Sequence, residues 1–439
     1  MVTPREYIPE LLAPAGDMAR LRYAIAYGAD AVYAGQPAFS LRARENGFRN
    51  LEDLAEGIRY THERGKKFYL TSNVIARNFK VEAFQKALLA AIELAPDALI
   101  VADPGIIGWL RREAPHIPLH LSVQANTTNW LTAKFWAEQG VERIILSREL
   151  KLSEVLEIQK QVPGVELEVF VHGAVCMAMS GRCMLSNWAT HRDANQGMCN
   201  NSCRLPYRLY ANAEVQDDCY QAHQGNFSLV TSDPKSEMEA IALDEDPWGT
   251  YFMSSRDLCA IRSVEELVQN KIASFKIEGR TRSVYYLSQV VSAYRQAIDA
   301  AMLGNPLPES AQKALLCTDS RGWMPGFKTG PLPQNYEATQ VPAELGCVAA
   351  QIKSFREETG ELEILVKNPI TVKQEFEILT PEGMFPCTIS DLKNFKNEPA
   401  EILHPGTNGS LRLRDLMPGI TKNADFSFLV AKKMSKTSK

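Results

Sequence analysis

The chain has 439 residues, of which 45% are hydrophobic and 23% charged, and its formal net charge is -4. This composition is typical of a globular protein and excludes wholesale disorder, and the length predicts two or three domains. The small negative net charge argues against a protein that coats nucleic acid over its whole surface. A local group of Lys and Arg is still sufficient for phosphate recognition.

The N-terminus has no apolar segment of the kind that signal peptides contain. The longest apolar stretch, residues 87–102, is interrupted by Glu93, Pro96 and Asp97, so we expect no membrane span. Nine cysteines in such a chain indicate a reducing compartment, where clustered thiols more often bind metal or do redox chemistry than form disulfides. The sequence therefore predicts a cytoplasmic protein.

The first three hundred residues or so repeat one plan, in which a short apolar run is followed by a turn and an amphipathic helical stretch. Eight strands are predicted, at residues 10–13, 31–34, 68–72, 98–102, 119–123, 143–146, 167–171 and 274–277. Strands that alternate with helices form a parallel sheet, and eight such units close most economically into a (β/α)8 TIM-like barrel over residues 1–320. An open, doubly wound sheet is the alternative.

A Cys-rich insertion, residues 172–270, follows the seventh predicted strand. About a hundred residues separate the last two strands, whereas the other units take roughly 25 to 35. The segment that leaves a barrel strand emerges at the C-terminal face, where active sites are built. The cysteines of the insertion are therefore predicted to lie at the mouth of the barrel.

Four cysteines of this insertion are candidate metal ligands: Cys176, Cys183, Cys199 and Cys203. Six, fifteen and three residues separate them, so they lack the close Cys-x-x-Cys pairs that are usual in zinc ribbons. Four thiolates on a Gly-rich segment suit an iron-sulfur cluster at least as well. Zinc, a pair of disulfides and unliganded thiols remain alternatives, and Cys259 is a spare that could replace one ligand.

Polar residues at the ends of predicted strands are expected to face the same mouth. His172 and Glu278 are the candidate catalytic residues, with a packed structural histidine as the alternative for His172. The candidate substrate-binding residues are Arg44, Asn73, Gln124, Arg148, Lys276 and Arg280.

Basic residues near strand ends predict an anionic substrate, because guanidinium groups hold carboxylates and phosphates bidentately. The set is Arg42, Arg44, Arg148, Lys276, Arg280 and Arg282, and scattered surface charge is the alternative for Arg42, Arg44 and Arg282. The sequence has no phosphate-binding glycine motif, no Gly-x-Ser-x-Gly pattern of a serine hydrolase and no His-Glu-x-x-His metalloprotease helix.

The C-terminal part of the chain loses the helical period. A Pro- and Gly-rich linker is predicted at residues 321–342, followed by short β-rich runs that predict a small C-terminal β-barrel domain, or a sandwich, at residues 343–431. The basic tail, residues 432–439, is interpreted as a frayed end or as an arm that contacts phosphates.

Three long segments, in this order, resemble a known family. They are ELLAPAGDMARLRYAIAYGADAVYAGQPAFSLRARENGF, EVFVHGAVCMAMSGRCMLS and SFKIEGRTRSVYYLSQVVSAYR. These are hallmark segments of the collagenase-like peptidases, unclassified family 32, and the resemblance runs from about Glu10 to Gly326. The peptidase activity that the family name implies has little support from the residues, since no nucleophile-base pair stands out.

The resemblance implies a second activity. Closer members of the family are similar to oxygen-independent hydroxylation proteins that carry a 4Fe-4S cluster on four cysteines, which match Cys176, Cys183, Cys199 and Cys203 here. Some relatives take the fourth ligand from further downstream, so Cys259 is the alternative to Cys203. The segments DAVYAGQPAFSLRAREN, NVIARN and VFVHGAVCMAMSGRCMLSNW are most similar to members that form 5-hydroxyuridine at the wobble position of tRNA and require prephenate.

That resemblance also implies partners. The two carboxylates of prephenate would bind the cationic mouth, and tRNA phosphates would contact Lys276, Arg280, Arg282 and the small β domain. An electron donor is a further expected partner. A peptidase and a zinc-stabilised RNA-binding module without catalysis are the alternative functions.

Overall fold

The computed structural model describes residues 7–176, 178–179, 182–191, 193–199, 203, 227–229, 241–246, 249–251, 255–327, 343–372, 374–415 and 418–432. The basic tail beyond residue 432 and the linker from residue 328 to 342 lie outside the described residues. None of the helices within these ranges combines the length and the apolar character that crossing a membrane requires.

Strands and helices alternate from residue 10 to residue 190, and further strands and helices follow up to residue 324. The strands are β1 (Glu10–Pro14), β2 (Ala31–Gly35), β3 (Lys67–Ser72), β4 (Ala98–Val101), β5 (Leu119–Leu121), β6 (Arg143–Ile145), β7 (Glu166–Ala174), β8 (Phe227–Leu229), β9 (Ile241–Asp246), β10 (Gly249–Tyr251), β11 (Asp257–Cys259), β12 (Ser274–Ile277) and β13 (Trp323–Met324). The helices are α1 (Met18–Ala26), α2 (Leu51–His62), α3 (Val81–Ile92), α4 (Pro104–Glu113), α5 (Trp130–Glu138), α6 (Leu152–Gln161), α7 (Leu185–Thr190), α8 (Val264–Gln269), α9 (Val284–Met302) and α10 (Glu309–Leu316).

Eight parallel strands of the described residues close into a barrel. Strands β1 to β7 lie side by side in chain order, β12 pairs with β1, and β12 also pairs with β7. The register at the closure brings Ser274 opposite both Glu10 and Glu168. The predicted (β/α)8 barrel is therefore confirmed, and the open sheet is wrong.

The barrel strands are buried on both faces because helices cover the outside and side chains fill the inside. Strands β1, β2 and β4 are buried along their whole length. Helix α2 begins at Asn50, whose side chain accepts a hydrogen bond from the Asp53 amide, and it buries Leu54 and Ile58 against the sheet. The spacing of apolar residues in a helix such as α2 thus indicates which face of the helix packs on the sheet.

A buried network of charged groups crosses the N-terminal half of the barrel interior. Arg143 places Nη1 2.6 Å from Oε1 of Glu10 and 3.3 Å from Oε2 of Glu168. Lys276 places Nζ 2.7 Å from Oε1 of Glu168, and the Tyr69 hydroxyl donates to Glu10 at 2.6 Å. Pairing compensates each charge for its loss of hydration.

The insertion returns to the barrel through β11, which runs antiparallel to β7 and parallel to β13. Arg321 is buried and its guanidinium binds the buried carboxylate of Asp257. The described first part of the predicted linker, residues 321–327, therefore belongs to the packed sheet. Composition missed this because a Gly- and Pro-rich segment can still hold one buried ion pair.

The C-terminal part is an antiparallel sheet, as predicted for an all-β domain. Its described elements are β14 (Gly346–Arg356), β15 (Glu361–Val366), β16 (Ile370–Thr371), β17 (Phe376–Thr380), β18 (Gly383–Cys387), β19 (Ile389–Asn394), β20 (Ile402–Leu403), β21 (Asn408–Leu413), α11 (Pro418–Lys422) and β22 (Phe428–Lys432). Seven of these strands form one sheet in the order β18-β17-β22-β14-β15-β21-β19. The sheet packs on helix α1, where the Tyr23 ring lies 5.3 Å from that of Phe426 and 5.4 Å from that of Phe428.

Candidate functional site

A cavity of about 130 Å³ lies at the C-terminal end of the barrel strands. Its wall includes residues from several strands, among them Thr71, Ile100, Ile145, Phe170 and Lys276. Residues at this end of a parallel barrel converge because all strands point the same way. The cavity is therefore formed by the barrel itself together with whatever segment covers its mouth.

The described residues between 174 and 203, here called the Cys-rich segment, cover the mouth. Their cysteines, Cys176, Cys183, Cys199 and Cys203, all line the cavity. Loops from neighbouring strands hold the segment in place. Asn126 donates to the carbonyl of Met179 at 3.2 Å, and Arg182 donates through Nε to the carbonyl of Gln124 at 3.0 Å. The thiols therefore face the same space as the strand ends, which is where the sequence predicts them.

The cysteines also contact neighbouring groups within the segment. The Leu185 amide donates to Sγ of Cys183 at 3.3 Å, and the Ser186 hydroxyl donates to Sγ of Cys199 at 3.9 Å. These contacts tie the two sulfur atoms to helix α7.

Four thiols are the donor atoms that an iron-sulfur cluster or zinc prefers, and all four lie in one cavity. Within the described ranges, no three His, Cys, Asp or Glu side chains are yet arranged so that they could hold one metal ion. The thiols would have to draw closer together to ligate one. Cys259 lies on β11 opposite His172 and is not part of the cavity wall, so its position does not favour it over Cys203.

Arginine side chains surround the carboxylate of Glu278 in the cavity. Burial alone would raise the pKa of Glu278. The positive charges of Arg42, Arg148 and Arg280 outweigh this effect, so the pKa lies below its usual value. The Tyr33 hydroxyl donates to Oε2 of Glu278 at 3.1 Å. At neutral pH this group is a carboxylate with one negative charge, and the three guanidinium groups near it carry three positive charges.

The arginines hold different positions in the wall. Arg148 lies with its guanidinium carbon 3.6 Å from the ring centre of Phe170, which fixes its plane by a cation-π contact. Arg280 is 8% exposed, and burial lowers its pKa. Burial lowers the pKa of Arg42, but the negative charge of Glu278 is the largest of the opposing effects that leave it raised overall. The positive charge of the wall favours an anionic ligand.

Lys276 lines the cavity from below. Its ammonium group binds Glu168 and lies 4.5 Å from the ring centre of Tyr33, and burial lowers its pKa. Lys276 therefore connects the cavity wall to the buried ion network of the barrel. The sequence predicts a substrate contact at this position, and the structure adds an internal partner.

Asn73 and Gln124 line the cavity through buried polar side chains. The Asn73 amide donates to Oγ of Ser122 at 3.0 Å, and its Oδ1 accepts from the Leu41 amide at 3.2 Å. Thr71 differs, since its buried hydroxyl oxygen has no hydrogen-bond partner among the described residues. A polar ligand atom would satisfy that hydroxyl.

His172 does not line the cavity, which contradicts its predicted place in the site. The register between β7 and β12 shifts after the pair of Lys276 and Phe170, so that His172 lies opposite Ile277. This bulge turns the imidazole away from the mouth and into the outer layer, with Nδ1 3.3 Å from the Tyr294 hydroxyl. The alternative interpretation, a packed structural histidine, is the one that the structure supports.

Arg44 is exposed on a short 3-10 helix, Ala43–Glu45, and also lies outside the cavity wall. Arg42, two residues earlier, lines the wall instead. Sequence reasoning also missed Tyr33 and Thr71, although strand alternation in β2 and β3 gave a usable indication of which side chains point inward. The roles of Glu278, Asn73, Gln124, Arg148, Lys276 and Arg280, all of which line the cavity, stay predictions.

Comparison with known proteins gives both parts of the chain a family. Residues 16–337 match peptidase family U32, and residues 347–420 match the peptidase family U32 C-terminal domain. The chain is 43% identical over 417 residues to the tRNA hydroxylation protein P of Haemophilus influenzae, covering 90% of each protein. It is 42% identical over 411 residues to the tRNA hydroxylation protein P of Escherichia coli, covering 89% of this chain and 90% of that protein.

A relative named for a different RNA also matches. The 23S rRNA 5-hydroxycytidine synthase of Escherichia coli is 37% identical over 291 residues, which cover 66% of this chain and 39% of that protein. Proteins similar to this chain therefore carry names for hydroxylation of two kinds of RNA.

Proposed function

Because the chain belongs to the peptidase U32 family, we propose that it is an RNA-hydroxylating enzyme of that family and not a peptidase. The names of its relatives support hydroxylation of tRNA in particular. We further propose that the reaction is oxygen-independent 5-hydroxylation of the wobble uridine, with prephenate as co-substrate and a 4Fe-4S cluster as cofactor.

One observation carries the proposal: the thiols of Cys176, Cys183, Cys199 and Cys203 and the guanidinium groups of Arg42, Arg148 and Arg280 line one cavity. Thiols supply metal ligands, and guanidinium groups supply an anion site. A cavity that combines them suits an enzyme that uses an anionic co-substrate beside a metal cluster.

The cations account for a dicarboxylate such as prephenate. Arg148 is half-buried and held against Phe170, so its fork of N–H donors is oriented before the ligand arrives. The hydroxyl of Thr71 can donate to a carboxylate oxygen, and Glu278 keeps the guanidinium groups from repelling one another in the free protein.

Hydroxylation of C5 of uridine replaces a hydrogen by a hydroxyl group and removes two electrons from the base. Without dioxygen, the exchange balances if the co-substrate gives up a hydroxyl group and takes the hydrogen in return, so that it gains the two electrons that the base loses. A cluster held by Cys176, Cys183, Cys199 and Cys203 would supply iron that can pass electrons or bind oxygen atoms. The chain's own residues bind the anion, orient it and keep bulk water from the cavity.

The peptidase hypothesis has no specific observation in its favour. His172, the histidine nearest in sequence to these cysteines, faces away from them. Burial also lowers the pKa of His172 to about 3, so this ring does not act as a general base at neutral pH in the site.

Anaerobic purification tests the cofactor. We expect a brown protein with about four irons per chain. Replacement of Cys203 with Ala should remove the iron, whereas replacement of Cys259 with Ala, outside the cavity wall, should leave it in place. A colourless protein with one tightly held zinc would refute the proposed cluster.

Mass spectrometry of tRNA nucleosides tests the reaction. In a strain that lacks the native copy, the wild-type chain should restore 5-hydroxyuridine and the Cys176→Ala and Cys183→Ala variants should not. The Cys259→Ala chain is the matched control and should restore it. Peptide cleavage that survives the loss of Cys176 and Cys183 would instead support a peptidase.

A further inference from the structure

Phe79 is exposed at the mouth of the barrel although it is a large apolar side chain. It is 76% exposed and belongs to a short 3-10 helix, Asn78–Lys80, in the loop that follows strand β3. The same loop begins at Asn73, which lines the cavity. Single exposed apolar side chains are common on protein surfaces, but an aromatic ring at this place can stack on a ligand that reaches the cavity.

Polar contacts clamp this loop onto the Cys-rich segment. Arg77 places Nη2 2.7 Å from Oδ2 of Asp193, and Lys80 places Nζ 3.4 Å from Oε1 of Gln196. Asp193 and Gln196 flank Ala194, which lines the cavity. Phe79 therefore stands on the rim, between two side chains that are anchored next to the cavity wall.

Basic side chains lie next to the ring in the chain. Nζ of Lys80 lies 5.8 Å from the ring centre of Phe79, and the side chain of Arg77 is 59% exposed despite its ion pair. Arg44 and Arg182 are exposed on other loops of the same end of the barrel. An exposed aromatic face with neighbouring cations is complementary to an unpaired nucleotide, whose base stacks while its phosphate contacts the cations.

We propose that Phe79 is a stacking platform for an unpaired RNA base next to the target nucleotide, with Lys80 and Arg77 contacting the adjacent phosphates. The inference rests on the proposed function and adds to it the element that receives the RNA. A base must leave its stack before a buried site can act on it, and a neighbouring base that stacks on the protein compensates for part of that loss.

RNA affinity tests the platform. The probe is an RNA hairpin with unpaired uridines in its loop, and binding is measured by fluorescence anisotropy at one fixed salt concentration, since phosphate contacts depend on salt. Phe79→Ala should weaken binding about five- to 150-fold, which is the range of one lost base stack. Phe79→Tyr, which keeps the ring, should bind as the wild type does.

The chain offers a matched control in its C-terminal sheet. Lys393-Asn394-Phe395-Lys396 repeats the residue types of Arg77-Asn78-Phe79-Lys80, Phe395 is 70% exposed, and Nζ of Lys396 lies 5.8 Å from its ring centre. Phe395→Ala should leave hairpin affinity unchanged. Equal losses in both variants, or no loss in Phe79→Ala, would overturn the assignment of the platform to the mouth.

A second measurement reports the stacking directly. In a Phe79→Trp variant, the loop hairpin should quench the added indole fluorescence, and the same RNA annealed to its complement should not. If wild-type protein binds the hairpin and forms 5-hydroxyuridine while the indole is not quenched, the platform is wrong and the function stands. If wild-type protein neither binds RNA nor forms the nucleoside, the proposed function fails first.

Discussion

The carboxylate of Glu278 has a different part in the site from the one that a buried acid usually takes. Burial alone would raise its pKa, but Arg42, Arg148 and Arg280 lower it below the usual value. Glu278 is therefore ionised at neutral pH and suited to position the cations, not to donate a proton.

Arg148 should carry much of the affinity for an anionic co-substrate, because Phe170 orients its guanidinium. Arg148→Ala should weaken prephenate binding by about 1.5 to 3 kcal/mol, as for a hydrogen bond to a charged group. Isothermal titration calorimetry measures the change. Arg44→Ala, an exposed arginine outside the cavity wall, is the control, and an equal loss in both variants would remove Arg148 from the site.

His172 predicts a pH dependence of stability. Burial lowers its pKa from 6.5 to about 3, so between those values the unfolded chain binds a proton that the folded chain does not. The free energy of unfolding should therefore fall as the pH drops from about 6.5 towards 3. Urea titrations of wild type and His172→Phe at several pH values check this, and the variant should lose part of the acid dependence. A slope identical in both proteins would contradict the prediction.

The end of strand β7 determines which side chains of this strand face the cavity. A register shift against β12 turns His172 outward, and the chain then passes through Gly173 at φ +107° before Ala174 and Cys176 return to the cavity wall. The close approach of Gly173 to the backbone after β12 leaves no room for a side chain. A Cβ at this position would lie 2.3 Å from the carbonyl oxygen of Glu278.

Gly173→Ala should therefore destabilise the protein and displace Glu278. Gly65→Ala is the matched control, because Gly65 also has positive φ but has nothing within 4 Å of an added Cβ. The control should cost about 1 to 2 kcal/mol from backbone strain alone, and Gly173→Ala should cost more. Urea denaturation measures both, and similar losses would show that the clash relaxes without expense.

At the scale of the whole molecule, a network of buried charged side chains extends from the strands that close the barrel to the cavity at its mouth. Glu168 receives both Arg143 and Lys276, and Arg143 also binds Glu10 on β1. The network spans the strands on both sides of the closing pair, β7 and β12. Lys276 then reaches the cavity wall, so barrel closure and ligand site share one side chain.

Removal of one charge from this network should be expensive. Glu168→Gln leaves two buried cations with less compensation and should lower the free energy of unfolding by about 3 kcal/mol or more. Glu166→Gln is the control, since Glu166 also binds Arg143 at 2.7 Å but its own side chain is 51% exposed, so water screens part of its charge and the loss should be smaller. Chemical denaturation of both variants distinguishes them, and equal effects would contradict a buried network.

Much of the architecture was predictable because local patterns carry it. Each of the eight barrel strands is a short apolar run bounded by turn residues, so the order of elements and the emergence of the cysteines at the mouth follow from the sequence. The ion network was not predictable, because Glu10, Arg143, Glu168 and Lys276 are far apart in the chain and meet only when the barrel closes.

The sequence by itself determined the fold class, the four cysteines that are candidate metal ligands and the cationic character of the strand ends, since these depend on residue type and period. Only the tertiary structure decided which side chains face the cavity. Arg42 lies just before a short 3-10 helix and Arg44 lies within it, and a one-residue register shift turns His172 outward, because orientation at these points is set by neighbouring strands and loops.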